Sequence, residues 1–184
     1  MRKVTRTAPA KINLGLDVTG TRPDGYHLLE TVFQAVSIAD TVTVELTDTP
    51  DIALTCDVAG VPCSPKNIAW KAAQRYLDAA GLTDGVQIHI EKRIPMEAGM
   101  GGGSTDGAAV LLALQELTGN ALSMDKLAEI AVSLGADVPF FLYGGTAYAA
   151  GIGEKLETAG VFYGLHGDCQ GDSRRFHRTG IWCD

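Results

Sequence analysis

Residues 94–117 read IPMEAGMGGGSTDGAAVLLALQEL, with five glycines among residues 99–107 and an apolar run behind them. The run has the length and composition of a helix, expected to begin near Ser104. A helix that starts in a glycine-rich loop offers unpaired backbone N–H groups and the positive end of its dipole, and glycine lets an anion approach the backbone closely. The loop therefore reads either as a phosphate cradle or as a flexible turn, with Ser104 or Thr105 serving as an ordinary N-cap in the second case. It is not a P-loop, because Ser104 and Thr105 follow Gly103 with no lysine between. The dinucleotide fingerprint also fits poorly, since the loop follows a turn at Pro95 and no acidic ribose-binding strand stands out downstream.

On both sides of this stretch the periods are clear. Upstream, VQIHIEK puts Val86, Ile88 and Ile90 on one strand face and His89 on the other. Before it, Ile68, Ala69, Ala72, Ala73, Tyr76, Leu77 and Ala80 form one helical stripe over 67–80, with Gly81 where a C-terminal cap is wanted. Downstream, Ser123 opens a helix through Met124, Leu127, Ile130, Ala131 and Leu134 to Gly135. The N-terminal part reads as strands (VTRTA, KINLGLDVTG, LLETVFQAVS, DTVTVEL) broken by the polar TRPDGYH. In the second of these, Ile12, Leu14, Leu16 and Val18 share a face expected to be core, and Lys11, Asn13 and Asp17 share the other. Strands first, then helix, strand, two helices and a strand, predict an α+β domain with helices packed mainly on one face of a mixed sheet.

With 184 residues, 46% hydrophobic and 20% charged, the chain has the composition of a folded globular protein of one ordinary domain plus an extension. No apolar run approaches bilayer length and no signal core follows the basic start, so the cytoplasm is the expected compartment, without a membrane partner. A net charge of −7 argues against a nucleic-acid partner and requires any phosphate chemistry to be locally organised. Cys56, Cys63, Cys169 and Cys183 form no C-x-x-C pair and no zinc spacing, which makes reduced thiols the expectation.

Two further segments carry chemistry. In GADVPFFL, Asp137 lies just past a helix end among apolar neighbours, where a carboxylate either bonds nearby turn amides or meets a cation. In PAKINLGLDV, Lys11 projects from a nearly apolar strand, either as a snorkelling surface lysine or as the cation that the glycine loop lacks. A cradle, a cation and a carboxylate near an attacking hydroxyl are what phosphoryl transfer requires. In the turn DGYH, Tyr26 and His27 could stack on and bond a planar base, or could simply flank an Asp24-Gly25 reversal.

Together, PAKINL, PMEAGMGGGS and GADVPF resemble the GHMP kinase superfamily over about residues 4–156, and RPDGYHLLETVFQ is similar to its branch acting on a cytidine diphosphate-linked methylerythritol in non-mevalonate isoprenoid biosynthesis. The resemblance implies a two-domain α+β kinase with ATP and Mg²⁺ as cofactors and the active site in the interdomain cleft. It places ATP phosphates on Pro95, Met96, Glu97, Ala98, Gly99, Met100, Gly101, Gly102, Gly103, Ser104 and Thr105, with Ser104 also near Mg²⁺ and Asn67 near the nucleotide. It makes Asp137 the catalytic base and Lys11 the partner that holds the hydroxyl and carboxylate in register. It sets Asn13, Tyr26 and His27 at the substrate, the last two around the cytosine ring.

On this resemblance residues 1–156 are the N-terminal, ATP-binding domain and 157–184 an atypical tail in place of the family's second domain. After GIGEKLE the chain loses both periods and gathers arginines, histidines, cysteines and a tryptophan, as a change of reading frame would produce. Weak or absent transfer and a tendency to associate, with a homodimer among the expected partners, follow for such a chain. Two other readings compete: a kinase of another small alcohol, such as homoserine or mevalonate, and a non-catalytic nucleotide-binding fragment.

Overall fold

The computed structural model describes residues 3–21, 25, 27–153 and 155–159. Tyr26 and the segment from 160 onward, with Cys169 and Cys183, lie outside them. The chain folds as β1 (Lys3–Thr21), β2 (His27–Thr47), β3 (Ile52–Cys56), α1 (Ile68–Ala80), β4 (Gly85–Glu91), α2 (Gly102–Leu117), α3 (Met124–Leu134), α4 (Val138–Tyr143), β5 (Thr146–Gly151) and β6 (Lys155–Ala159). This is the expected α+β arrangement, a mixed sheet with four helices.

The strand β2 is the axis of the sheet. Its first half pairs antiparallel with β5, its second half with β4, and β1 runs antiparallel along nearly its whole length. β3 lies parallel to β4 beyond it, reached through α1, and β6 closes the other side against β5. The four N-terminal strand segments of the sequence are thus two long strands. β6 carries the sheet through Ala159, across the 156/157 boundary.

Alternation holds where helices cover the sheet. Val42, Val44, Val86, Ile88 and Ile90 are buried, and Gln87, His89 and Glu91 face outward. Helix α2 lies on this covered face, packed on β1 and β2 and against α1 and α4. It is apolar nearly all round because it is central. The caps read from the sequence are in place: the Asn67 side chain accepts from the Ala69 amide, Ser123 accepts from Lys126, and Gly81 ends α1 at φ 65°.

The expected core face of β1 is a correction. Leu14 is 61% exposed and Leu16 59%, and Ile12 and Val18 are also exposed. A register shift between Pro9 and Lys11 leaves Ala10 and Lys11 both buried although they are consecutive, and beyond Lys11 residues 12–19 are exposed on both faces of the strand. The even series is therefore not a covered face there, since a covered face would leave one parity buried.

Candidate active site

The glycine loop joins β4 to α2 and bends through three left-handed residues, Glu97 (φ 58°), Gly99 (φ 71°) and Gly101 (φ 73°). At Gly101 the glycine is obligatory for a second reason: a Cβ there would stand 2.7 Å from Cζ of Phe141 and 3.4 Å from Cγ of Lys11. Gly101 is also the N-cap of α2 and has no side chain to cap it, so the first-turn amides remain available to a ligand. Ser104 and Thr105 therefore do not cap the helix. Pro95 to Ser104, with Asn67, Lys66, Lys92 and Asp106, line a cavity of about 390 Å³, whereas Thr105 is buried in the interior. Lys66 at its rim is exposed and makes no described ion pair. A shallower depression of about 550 Å³ beside Lys3, Arg6 and Glu116 holds none of these groups.

Both ends of the loop are clamped by a cluster that the sequence did not single out. Asp40 of β2 is fully buried and accepts from the backbone amides of Arg93 and Ile94, the latter at 2.8 Å. The Lys92 ammonium donates to Asp40 and, at 2.9 Å, to Asp106 in the first turns of α2. Burial opposes the charge of Lys92, but Asp106 and Asp40 outweigh it and raise its pKa. One cation cannot compensate two buried carboxylates. Burial accordingly pushes the Asp106 carboxyl up to about 7, with Lys92 working against the rise and Asp40 adding to it. The second oxygen of Asp106, Oδ1, is buried with no hydrogen-bond partner among the described residues. A polar residue inside GAAVLLAL-type surroundings, one lysine immediately before the loop, was the available signal.

Lys11 is 6% exposed and is no snorkelling lysine. Its backbone N–H donates to the Met100 carbonyl at 3.0 Å, fastening β1 to the glycine loop. Its ammonium donates to Asn13 Oδ1 at 2.8 Å, lies 4.7 Å from the centre of the Phe33 ring, and stands 3.6 Å from Asp137 Oδ2. Asp137 sits at the start of α4, a short helix not read from the sequence, and its side chain caps nothing there. Among the described residues its side chain makes no hydrogen bond to a turn amide. Asn13 is exposed beside this pair, and exposed His27 at the far end of the hairpin lies 3.2 Å from Thr21 Oγ1 through Nδ1. Among the described residues no cluster of three or more His, Cys, Asp or Glu could hold a metal, and Cys56 and Cys63 are free.

A strand lysine fastened to a glycine-rich loop, with a carboxylate facing its ammonium, sits here in a mixed sheet with four helices, and the chain carries a GHMP kinase N-terminal domain: residues 67–145 match the GHMP kinases N terminal domain family. Within that class it is similar to the 4-diphosphocytidyl-2-C-methyl-D-erythritol kinases. It is 51% identical over 156 residues to the one from Geobacter metallireducens and 46% identical over 155 residues to the one from Clostridium tetani. The first alignment covers 85% of this chain and 56% of the relative, the second 84% and 55%. The crystal structure of a 4-(cytidine 5'-diphospho)-2C-methyl-D-erythritol kinase superposes with a TM-score of 0.73 at 47% identity, over 85% of this chain and 55% of that one. A homoserine kinase from Cytophaga hutchinsonii shares the fold at a TM-score of 0.64 and 23% identity, over 81% and 49% of the two chains. The chain spans a little over half the length of the curated relatives, at 56% of the first.

Proposed function

We propose that this site serves ATP-dependent phosphorylation of the 2-hydroxyl of 4-diphosphocytidyl-2-C-methyl-D-erythritol, a step of isoprenoid precursor synthesis. The observation that carries the proposal is the Lys11–Asp137 pair, tied to the glycine loop through the Lys11 amide and the Met100 carbonyl. The loop amides and the N-terminus of α2 hold the ATP phosphates. Asp137 accepts the proton of the acceptor hydroxyl as its oxygen bonds to the γ-phosphorus and the bond to the β-phosphate oxygen breaks, releasing ADP. Lys11 orients the hydroxyl and compensates the charge that develops beside Asp137.

Magnesium fits this site as an ion carried in with the nucleotide. Mg²⁺ commonly takes one or two protein oxygens and fills its remaining positions with phosphates and waters. The Ser104 hydroxyl lines the cavity, makes no described hydrogen bond, and would be such a ligand. When bound, the ion neutralises phosphate charge. On the acceptor side Asn13, Tyr26 and His27 would contact the substrate, with Tyr26 and His27 around the cytosine.

Separate calorimetric titrations with ATP and with the cytidine-linked substrate, followed by a transfer assay with labelled ATP, test the reading. Binding of both with transfer to this acceptor supports it. Binding of both without transfer assigns the chain to nucleotide and substrate binding alone, and transfer only to homoserine or mevalonate moves it to another acceptor. Failure to bind ATP at millimolar concentration overturns it.

A further inference from the structure

We propose that Thr31 is a positioning residue for the phosphoryl-acceptor site, fixing which way the Asn13 amide faces and through it where the Lys11 ammonium rests. The proposal rests on the kinase reading for its catalytic consequence, although the relay itself does not depend on it.

Thr31 lies in β2, is 3% exposed, and touches neither Lys11 nor Asp137 through any described hydrogen bond. Its hydroxyl donates to the Gly15 carbonyl at 2.6 Å. A carbonyl oxygen can only accept, so the single proton of the Thr31 hydroxyl is committed there. Toward Asn13, 2.7 Å away, Thr31 Oγ1 can therefore act only as an acceptor, and the Asn13 NH₂ group must face it. The amide oxygen then faces the other way and receives the Lys11 ammonium at 2.8 Å. With the amide reversed, two N–H donors would point at a cation. The direction of an exposed asparagine, ordinarily free to flip, is set by a backbone carbonyl two bonds up the relay.

The backbone supplies that carbonyl by a second irregularity. The register of β1 on β2 shifts between Asn13 and Gly15, so Asn13 lies opposite Phe33 while Gly15 lies opposite Val32. Bulges of this kind re-aim groups beside active sites, and here one brings the Gly15 carbonyl to the Thr31 side chain. Phe33, two residues beyond Thr31 on the same face of β2, lies under the ammonium. β2 therefore holds Lys11 from below through Phe33 and from the side through Thr31, which acts by way of Asn13 in β1.

Side-chain NMR on the 184-residue chain tests the relay directly. In the unmodified protein the Asn13 Nδ2 protons should show cross-peaks to the Thr31 methyl; cross-peaks to the Lys11 Cε protons instead overturn the proposal without any variant. Thr31→Val should shift the Asn13 amide pair and weaken the slow-exchanging Lys11 ammonium signal, and Thr31→Ser should keep both as in the parent. A Val variant indistinguishable from the parent, or a Ser variant that behaves like Val, overturns it. In the transfer assay Thr31→Val should lower kcat by about ten- to a hundredfold with the KM for ATP unchanged, as expected for a misplaced reacting group. Equal losses in Val and Ser variants assign Thr31 to packing. Absence of transfer in the parent counts against the kinase reading, and the relay is then decided by the amide and ammonium signals.

Discussion

Lys11 and Asp137 stand 3.6 Å apart, an ion pair without a close hydrogen bond. The ammonium is already engaged by Asn13 Oδ1 and by the face of Phe33, which leaves the Asp137 carboxylate uncapped and about a third exposed. A carboxylate so placed is compensated in charge yet open to a hydroxyl donor.

On the proposed function, Asp137→Asn should keep this geometry and remove the proton acceptor. Transfer to the cytidine-linked substrate should fall by about 10²- to 10⁴-fold, the usual span of a positioned acid or base. ATP affinity, measured by titration, should be unchanged, since Asp137 does not line the loop cavity. A parallel loss of ATP binding would place Asp137 in the nucleotide site.

Gly101→Ala combines two costs. The residue holds φ 73°, a region that costs an L-residue about 1–2 kcal/mol, and its methyl would meet the Phe141 ring at 2.7 Å. Chemical denaturation should show a loss of at least about 1 kcal/mol. ATP binding should weaken with it, because the loop must move to relieve the clash. Unchanged stability and affinity would show the loop to be looser than its contacts indicate.

The Asp106 carboxyl, with a pKa of about 7 against an ordinary 3.8, makes stability depend on pH with a definite sign. Between these values the folded state holds a proton that the unfolded state has released, so stability falls as pH rises from about 4 to about 7 and the loss is complete above the folded value. Asp106→Asn imitates the protonated form and leaves Lys92 paired with Asp40 alone. In metal-free buffer, denaturation midpoints taken from pH 5 to 8 should decline more steeply for the parent than for Asp106→Asn. Parallel profiles would remove Asp106 as the source.

Tyr76 is fully buried under α2, and its hydroxyl donates to Gln115 Oε1 at 2.8 Å and meets Thr118 Oγ1 at 2.6 Å. Tyr76→Phe should cost about 1–3 kcal/mol in urea unfolding, the range for leaving a buried polar group without its partner. No loss would mean that Gln115 and Thr118 satisfy each other.

The far part of the hairpin and the centre of the sheet should respond in opposite ways to substitution. Leu16→Ser should change stability by less than about 0.5 kcal/mol because the side chain is mostly exposed. Ile88→Ala, at 2% exposure, should cost about 2–5 kcal/mol. Comparable losses at both sites would return Leu16 to the core.

What could be read from the sequence were features set by nearest neighbours. Asn67, Ser123 and Gly81 mark helix ends because each meets a backbone group a few residues away. Val86, Ile88 and Ile90 declare a covered face through a period of two, and the apolar run behind the glycine loop declares a helix. Lys11, Asp137 and the glycine loop were each visible as unusual residues, and the resemblance of their motifs to the GHMP kinases implied that they belong together. The sequence alone settled the α+β class and the helices α1, α2 and α3, since these depend on local periodicity and backbone freedom. Tertiary structure alone decided the rest: that Lys11 is buried beside a bulge at Pro9–Lys11 while Leu14 and Leu16 stay exposed, that Lys92 joins Asp40 to Asp106 across 52 and 14 residues of chain, and that Thr31 donates to the Gly15 carbonyl and accepts from Asn13. Those outcomes turn on which distant strand or helix comes to lie against a given face, and no local period carries that information.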